Sequence, residues 1–189
     1  MNNYQGWLNI YKPKGLSSFF VVKQIKKKFN INKIGHGGTL DPLAEGILPI
    51  AIGKATKLIP FINSDQKEYE FEIKWGEQTS TDDAEGKIIS KSNYIPTKKE
   101  IIFALNSFSG EIFQKPPKAS AIRIKGQRAY KLLRENKDFD IEEKKVFIYS
   151  SELLESSSQK SLAKIRIKCG KGFYIRSFAR DIALKLNSK

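Results

Sequence analysis

Two side chains that could carry out chemistry lie on one short segment, GHGGTLDPLAEGILP, residues 35–49. They are His36, the only histidine of the chain, and Asp41, which stands between Leu40 and Pro42. Four glycines and two prolines surround this pair. A carboxylate among apolar neighbours on a stiff loop is costly unless it has a partner or a task. Asp41 is therefore a candidate catalytic group for nucleophilic or proton-transfer chemistry.

Three common chemistries do not fit this segment. A phosphate-binding loop has four residues between its glycines, whereas six residues separate Gly46 from Gly53. A glycosidase needs two carboxylates that act across one bond, and nothing sets Asp41 and Glu45 in that way. A nucleophilic triad needs a second, orienting acid beside His36. A lone histidine in a glycine-rich loop is more often structural than catalytic.

The net charge of +14 is the strongest global feature of the sequence, because 34 Lys and Arg oppose 20 Asp and Glu. Such a charge favours polyanionic partners, nucleic acid first and an anionic membrane second, although a merely lysine-rich soluble protein has the same composition. The single cysteine, Cys169, excludes a disulfide framework within the chain. Cys169 and His36 are too few ligands for zinc, which excludes a zinc-dependent base deaminase.

No part of the sequence predicts export or membrane insertion. The first residues, MNNYQGWLNI, lack the charged segment and apolar run of a signal peptide. No apolar stretch approaches the roughly 20 residues that span a bilayer. We therefore expect a cytoplasmic protein without membrane contact. One framed aspartate, one histidine, many cations and several aromatic residues suit an enzyme that acts on a base of folded RNA.

The elements that must position these residues mix strands and helices without a regular rhythm. GWLNIYKP predicts a strand ending at Pro13, KEYEFEIKWG alternates with period two as a strand does, and TKKEIIFALNSF predicts a helix capped by Thr97. EQTSTDDAEGKII is interpreted as a turn-rich connection. Helices are predicted in KATKLIPFI, QRAYKLLREN and YIRSFARDIALKL, and strands in ILPIAIG, GEIFQ, SAIRIK, KKVFIYSSELL and SLAKIRIKCG. This mixture predicts an α+β fold with a largely antiparallel sheet.

The segment LSSFFVVKQIKKKFN predicts a first helix, capped by Ser17 or Ser18, whose lysines can be interpreted in two ways. Val22, Ile25 and Phe29 share one face of this helix, whereas its lysines crowd the solvent side, at positions 23, 26, 27 and 28. That lysine run fits an ordinary solvated face and a surface that faces RNA equally well.

The segment GHGGTLDPLAEGILPIAIGKATKL resembles the active-site motif of the TruB family of tRNA pseudouridine synthases, typically G-H-x-G-x-L-D-P-x-A-x-G-x-L-P. Four further segments resemble family motifs, in the family's order: IYKPKGLSS, KEYEFEIKWGEQTSTDDAEG, PPKASAIRIKGQRAYKLLR and CGKGFYIRSFARDIALKL. Five ordered motifs between Ile10 and Leu186 make a specific resemblance. It implies the pseudouridine synthase fold, a mixed and mainly antiparallel sheet with flanking helices and a central active-site cleft.

The resemblance implies an enzyme that isomerises uridine to pseudouridine in the T-loop of tRNA, at position 55, with no cofactor and no metal. The N-glycosidic bond of uridine breaks, the freed uracil rotates, and it rejoins the ribose through C5. We expect residues 1–189 to form the catalytic domain, without a C-terminal RNA-binding domain, and to act as a monomer on the T-stem-loop.

The resemblance also implies roles for individual residues. Asp41 matches the catalytic aspartate, which attacks or deprotonates at the ribose. Tyr69 matches the tyrosine that stacks on the target base and takes the C5 proton, and Arg176 matches the arginine that pairs with the catalytic carboxylate. A core position in its strand is the alternative for Tyr69, and structural support of the Asp41 loop is the alternative for Lys12. The implied RNA-binding set comprises His36, Lys12, Tyr174, Gly37 and Gly38.

The sequence departs from the family pattern in two places. Ala119 stands where the family usually has an aromatic residue, and the chain stops at LNSK, before the family's strand with L-R-R-x-x-x-G-x-F. We therefore expect a chain truncated at its C-terminus. Three alternatives stay open: the guide-RNA-dependent branch of the superfamily, a non-catalytic RNA-binding or RNA-folding protein on the same scaffold, and a glycoside or nucleoside hydrolase.

Overall fold

The structure is a computed structural model that describes residues 4–62 and 66–189. The chain divides into two compact units, one ending at Ser64 and the other beginning at Asp65. All strand pairs of the described residues are antiparallel, and helices accompany the strands in both units. The predicted α+β class is confirmed. The assignment of residues 1–189 to one catalytic domain stays a prediction.

The first unit is a three-stranded sheet with short helices. Its strands are β1 (Gly6–Lys12), β2 (Ile34–His36) and β3 (Gly46–Ile52), in the order β1-β3-β2. The predicted strand that ends before Pro13 is confirmed as β1. Leu48, Ile50 and Ala51 of β3 are fully buried, so the second half of this central strand is covered on both faces. The predicted helix KATKLIPFI begins as a 3-10 helix over Gly53–Leu58, and α2 (Ile59–Ile62) adds only one turn.

The helix α1 (Ser18–Lys28) begins as predicted at a serine cap. The hydroxyl of Ser17 accepts a hydrogen bond from the backbone N–H of Phe20, which satisfies one of the free donors of the first turn. Val22 and Ile25 are half-buried, and Lys23 and Lys26–Lys28 are exposed, as their spacing predicts. Phe29, predicted on the same face as Val22 and Ile25, lies just past the end of α1 and is 43% exposed.

The second unit contains a four-stranded sheet in the order β4-β11-β10-β7. Its strands are β4 (Lys67–Lys74), β7 (Gly110–Gln114), β10 (Lys144–Ser157) and β11 (Leu162–Cys169). Two hairpins pair β5 (Glu77–Thr79) with β6 (Ile88–Lys91) and β8 (Arg123–Ile124) with β9 (Gln127–Arg128). The helices are α3 (Lys98–Ser107), α4 (Ala129–Arg134) and α5 (Ile175–Lys185).

The core of the second unit lies between this sheet and the helices α3 and α5. Ile165 and Ile167 of β11 are fully buried and pack in one cluster with Phe178 and Ile182 of α5. The strand alternation predicted for KEYEFEIKWG is confirmed, since Ile73 is buried while its neighbours Glu72 and Lys74 are exposed.

Two further predicted elements differ from the structure. The supposed connection EQTSTDDAEGKII includes β5 and the start of β6, so it forms a hairpin rather than a plain loop. The supposed strand SAIRIK keeps only two paired residues, because Lys125 and Gly126 both take a positive φ and turn the chain into β9. Within residues 4–62 and 66–189, no helix is long and apolar enough to cross a membrane.

Candidate functional site

The loop of Asp41 is fixed on both sides of the carboxylate. The hydroxyl of Ser18 donates to the carbonyl of Leu40 (3.0 Å) and accepts from its N–H (2.9 Å). On the other side, the N–H of Gly15 donates to the carbonyl of Pro42 (2.8 Å). The carbonyl of Asp41 itself accepts from the N–H of Ala44 (3.0 Å). The start of α1 and the segment after β1 therefore hold the backbone that carries the half-buried Asp41 side chain.

Lys12 is buried beneath this loop, with none of its surface exposed. Its ammonium donates to the carbonyls of Leu16 (2.8 Å) and Pro13 (3.0 Å), and across to those of Ala44 and Pro42 (3.5 Å). Burial lowers the pKa of Lys12, and the charges of Asp41 and Glu45 oppose that shift. The buried ammonium favours the structural alternative for Lys12 over contact with a phosphate.

His36 is the last residue of β2, not a loop residue as predicted, because it pairs with Ile50 of β3. Its Nδ1 is buried and has no hydrogen-bond partner among the residues that the structure describes. The N–H of Gly37, the next residue, donates to the carbonyl of Pro49 (2.8 Å). The segment thus enters the Asp41 loop directly from the edge of the sheet.

The glycines of this segment differ in the space that a side chain would find around them. A Cβ on Gly35 would lie 3.1 Å from Cδ1 of Ile59, so any other residue there would have to displace this methyl group slightly. A Cβ on Gly38 would meet no described atom within 4 Å, so the backbone there borders open space. The predicted RNA-binding roles of Gly37, Gly38 and His36 stay predictions.

Tyr69 is the third residue of β4, opposite Ile167 of β11. It is half-buried and packs against the hydrophobic core of the second unit. Its position near the start of the strand is compatible with both interpretations, a core residue and a ring that serves a site.

Arg176 is the second residue of α5, and its side chain is only 13% exposed. Its guanidinium donates to the carbonyls of Thr81 (3.0 Å) and Ala119 (3.2 Å). One Nη lies 3.4 Å from a carboxylate oxygen of Asp83. Since the contact with Ala119 goes through the backbone, the missing aromatic side chain at this position does not remove it.

Sequence reasoning missed the acidic turn that faces α5. The carboxylate of Asp83 accepts from Thr81 Oγ1 (2.5 Å) and from the N–H of Glu85 (3.0 Å), which closes the turn. Oδ2 of the Asp82 carboxylate lies 2.9 Å from Nη1 of Arg180. Burial raises the pKa of Asp82, and the charge of Arg180 opposes the shift. The spacing of Arg176 and Arg180 by four helical residues was the available signal, because it places both on one face.

A second missed residue, Gln114 at the end of β7, is 1% exposed and anchors the start of α5. Its side-chain oxygen accepts from the N–H of Tyr174 (2.8 Å), and its amide donates to the carbonyl of Tyr174 (3.1 Å). The hydroxyl of Ser177 adds a bond to the carbonyl of Lys115 (2.7 Å). Tyr174, which the sequence assigned to RNA binding, is thus the N-cap of the helix that carries Arg176.

A cavity of about 380 Å³ lies within the second unit, between β4, the β5–β6 hairpin and α5. Asp82, Asp83 and Arg180 line it, whereas Tyr69 and Arg176 do not. Among residues 4–62 and 66–189, no three His, Cys, Asp or Glu side chains are grouped to hold a metal ion.

Comparison with known proteins gives concordant matches. Residues 26–175 match the family described as TruB family pseudouridylate synthase (N terminal domain). Proteins named tRNA pseudouridine synthase B from Wolbachia pipientis subsp. Culex pipiens (strain wPip) and Ehrlichia ruminantium (strain Gardel) are 50% and 49% identical, each over 96% of this chain. The match spans 52% and 61% of their own lengths, so the chain covers between half and two thirds of these relatives.

Solved structures match over nearly the whole chain as well. The crystal structure of a Cbf5-Nop10-Gar1 complex contains a chain with 31% identity and a TM-score of 0.68, matched over 96% of this chain and 44% of that one. A structure of an H/ACA RNP bound to a substrate RNA containing 2'-deoxyuridine matches with 28% identity and a TM-score of 0.66, over 96% and 43%.

Proposed function

Because the chain belongs to the TruB family of pseudouridylate synthases, we propose that it isomerises uridine to pseudouridine in the T-loop of tRNA, at position 55. The observation that carries this proposal is the frame of Asp41. Four hydrogen bonds fix the backbone on both sides of one half-buried carboxylate. A carboxylate held in one position is suited to react with one substrate atom, since a displacement of 1 Å can lower a catalytic rate by about 100-fold.

In this proposal Asp41 attacks or deprotonates at the ribose of the target uridine, and the glycosidic bond breaks. The uracil rotates in place and rejoins the ribose through C5, and Tyr69 stacks on it and takes the C5 proton. Arg176 takes the role that the family motif gives its arginine, that of pairing with the catalytic carboxylate. The reaction needs no cofactor, because bond cleavage, rotation and bond formation leave the oxidation state of the product unchanged.

The choice of tRNA as substrate is supported by the names of the relatives. Proteins 44–50% identical to this chain are named tRNA pseudouridine synthase B, whereas the matched solved complexes of Cbf5 are 26–31% identical. The net charge of +14 supports a polyanionic substrate of this kind. We propose that the chain acts on the T-stem-loop as a monomer, since all five motifs lie in one chain.

The decisive experiment compares Asp41→Asn with Glu45→Gln. Both variants remove one negative charge from the same loop, but only the first removes the proposed catalyst. The assay is tritium release from tRNA labelled at uracil C5, which occurs only when the new carbon–carbon bond replaces that hydrogen. We expect Asp41→Asn to bind tRNA normally and to lose at least about 10⁴-fold in rate, and Glu45→Gln to stay within about threefold.

Two outcomes would contradict the proposal. Release by Asp41→Asn at a tenth of the wild-type rate would remove this residue as the catalyst. Tight tRNA binding without any release by the wild-type chain would favour the non-catalytic RNA-binding alternative.

A further inference from the structure

The outer face of α1 has no part in the proposed chemistry. At about 100° per residue, the side chains at positions 19, 23, 26 and 27 fall within roughly 100° of one another, away from the half-buried Val21 and Ile25. All four are exposed: Phe19, Lys23, Lys26 and Lys27. We call this face the α1 ridge.

The ridge lies on the more densely charged unit of the molecule. The first unit has nine lysines against Asp41 and Glu45, which gives +7 of the chain's +14 on about a third of its residues. In the described part of the chain, none of the ion pairs involves a lysine of α1. By contrast, carboxylates 2.8–3.3 Å away neutralise exposed lysines of the second unit, namely Lys74, Lys145 and Lys168.

Helix stability does not account for this arrangement. Lysines in the last turn are favourable because they face the negative end of the helix dipole, and Lys26 and Lys27 lie there. Lys23 lies in the middle of the helix and repels Lys27, four residues away. Phe19, one turn before Lys23, leaves 73% of its surface in solvent. Cations beside an exposed ring are the groups that bind phosphates and stack on bases.

The ridge is connected directly to the loop of Asp41. Ser18, the first residue of α1, makes the two hydrogen bonds that hold Leu40. From there the eleven residues of α1 extend about 16 Å. Phe19 therefore lies at the end of the ridge that adjoins the Asp41 loop, and the lysines lie farther out.

We propose that the α1 ridge binds the RNA that adjoins the target nucleotide. The lysines contact phosphates of the stem, and Phe19 packs on an unpaired nucleotide at the loop end. The assignment to this part of the RNA rests on the proposed function of Asp41. The contacts are independent of sequence, because phosphates are common to every nucleotide.

The test measures the affinity of the full chain for a T-stem-loop hairpin by fluorescence anisotropy over a range of salt concentrations. The triple variant K23Q/K26Q/K27Q is compared with K74Q/K145Q/K168Q, which changes the net charge equally at ion-paired lysines. We expect the ridge variant to bind about 10- to 100-fold more weakly near 0.1 M salt. The slope of log K against log salt should fall in magnitude by about 2 to 3, and the control should change little.

A second pair of variants tests the ring. Phe19→Ala should weaken binding about three- to tenfold without changing the salt slope, since it removes stacking and no charge. Phe103→Ala is the matched control, because Phe103 lies on α3 and is 76% exposed. Equal affinity of these two variants would remove Phe19 from the proposed surface.

These experiments measure RNA affinity and not catalysis, so the proposal for the α1 ridge and the proposed reaction can be refuted independently. A wild-type chain that bound the hairpin but formed no pseudouridine would refute the reaction alone. Equal affinities and salt slopes for the two triple variants would overturn the ridge. Retained RNA affinity together with lost binding to phosphatidylserine vesicles would also overturn it, because the ridge would then serve a membrane. Circular dichroism establishes that each variant keeps its helices. The single variant Lys23→Gln should still reduce the slope of log K against log salt by about 1.

Discussion

At the scale of single residues, Lys12 explains how the carboxylate of Asp41 can sit on a rigid loop. Its buried ammonium joins two carbonyls of the segment 13–16 to two of the segment 42–44. A backbone carbonyl that loses its donor in a buried place keeps the desolvation cost without the hydrogen bond. The stability of the loop therefore depends on one side chain distant in sequence.

We predict that Lys12→Met lowers the free energy of unfolding by about 3 kcal/mol, because it leaves several carbonyls without a donor. Urea denaturation followed by fluorescence measures this change. Lys14→Met is the matched control, since Lys14 is exposed and two residues away, and it should change stability by less than about 0.5 kcal/mol. If Lys12→Met instead kept full stability and lost RNA affinity, Lys12 would be a phosphate-binding residue.

At the scale of elements, α3 begins with a capping box that the sequence announces as Thr97-Lys-Lys-Glu100. The hydroxyl of Thr97 accepts from the N–H of Glu100, and the Glu100 carboxylate accepts from the N–H of Thr97 (2.8 Å). The hydroxyls of Thr97 and Tyr94 also donate to this carboxylate. These hydrogen bonds lower the pKa of Glu100 to about 2.

This shift predicts how the cap responds to acid. A carboxylate whose pKa falls on folding stabilises the fold above its unfolded pKa of about 4.5, and the effect is lost between that pH and about 2. We expect Glu100→Gln to melt at a lower temperature than the wild type at pH 6 and at the same temperature at pH 2. Glu142→Gln, which changes an exposed carboxylate outside the helices, should melt like the wild type at both pH values. An equal difference at pH 6 and pH 2 would contradict the role of the ionised cap.

Local patterns explain which elements could be predicted from sequence. The alternation in β4 and the caps of α1 and α3 are decided by residues within a few positions of one another, so they could be read directly. The β5–β6 hairpin could not be predicted, because the bonds that close its turn come from the side chains of Thr79 and Asp83 and the backbone N–H of Gly86, and these residues are equally common in ordinary loops. The strand predicted for SAIRIK was longer than the observed strand for a similar reason, since the turn at Lys125 ends it.

The candidate site shows the same limit over longer distances. Asp41, Tyr69 and Arg176 were identified from motifs, but no periodicity relates Arg176 to Asp83 or Ala119, which lie 93 and 57 residues away in the chain. Gln114 was missed because a single glutamine at the end of a strand has no pattern of its own. Partners that only the tertiary fold brings together leave no local signal, whereas the residues that they position do.

At the scale of the whole molecule, positive charge is distributed unevenly over a chain that carries +14. The two units carry +7 each, but the first does so with about half as many residues and almost no carboxylates. Most Asp and Glu residues lie in the second unit, where several form ion pairs on the outer face of the sheet, among them Glu68 and Glu70 with Arg166. The positive charge per residue is therefore about twice as high in the first unit, so the attraction of a polyanion close to the surface should be strongest at the lysines of that unit.

This distribution leads to a prediction for whole tRNA, the proposed substrate. If six to ten phosphates are contacted, affinity for tRNA should fall by about 10³- to 10⁵-fold between 50 and 200 mM salt.

The T-stem-loop alone should compete almost as well as whole tRNA, because the proposed contacts lie on the target loop and its stem. An unstructured RNA of the same length is the control, and it should compete poorly, since a flexible strand must lose conformational entropy to match a surface that fits a folded stem. Competition assays at two salt concentrations measure the affinities of whole tRNA, the T-stem-loop and the unstructured RNA. Equal competition by the unstructured RNA would show that charge alone governs binding, and an affinity that did not change with salt would exclude phosphates as the main contacts.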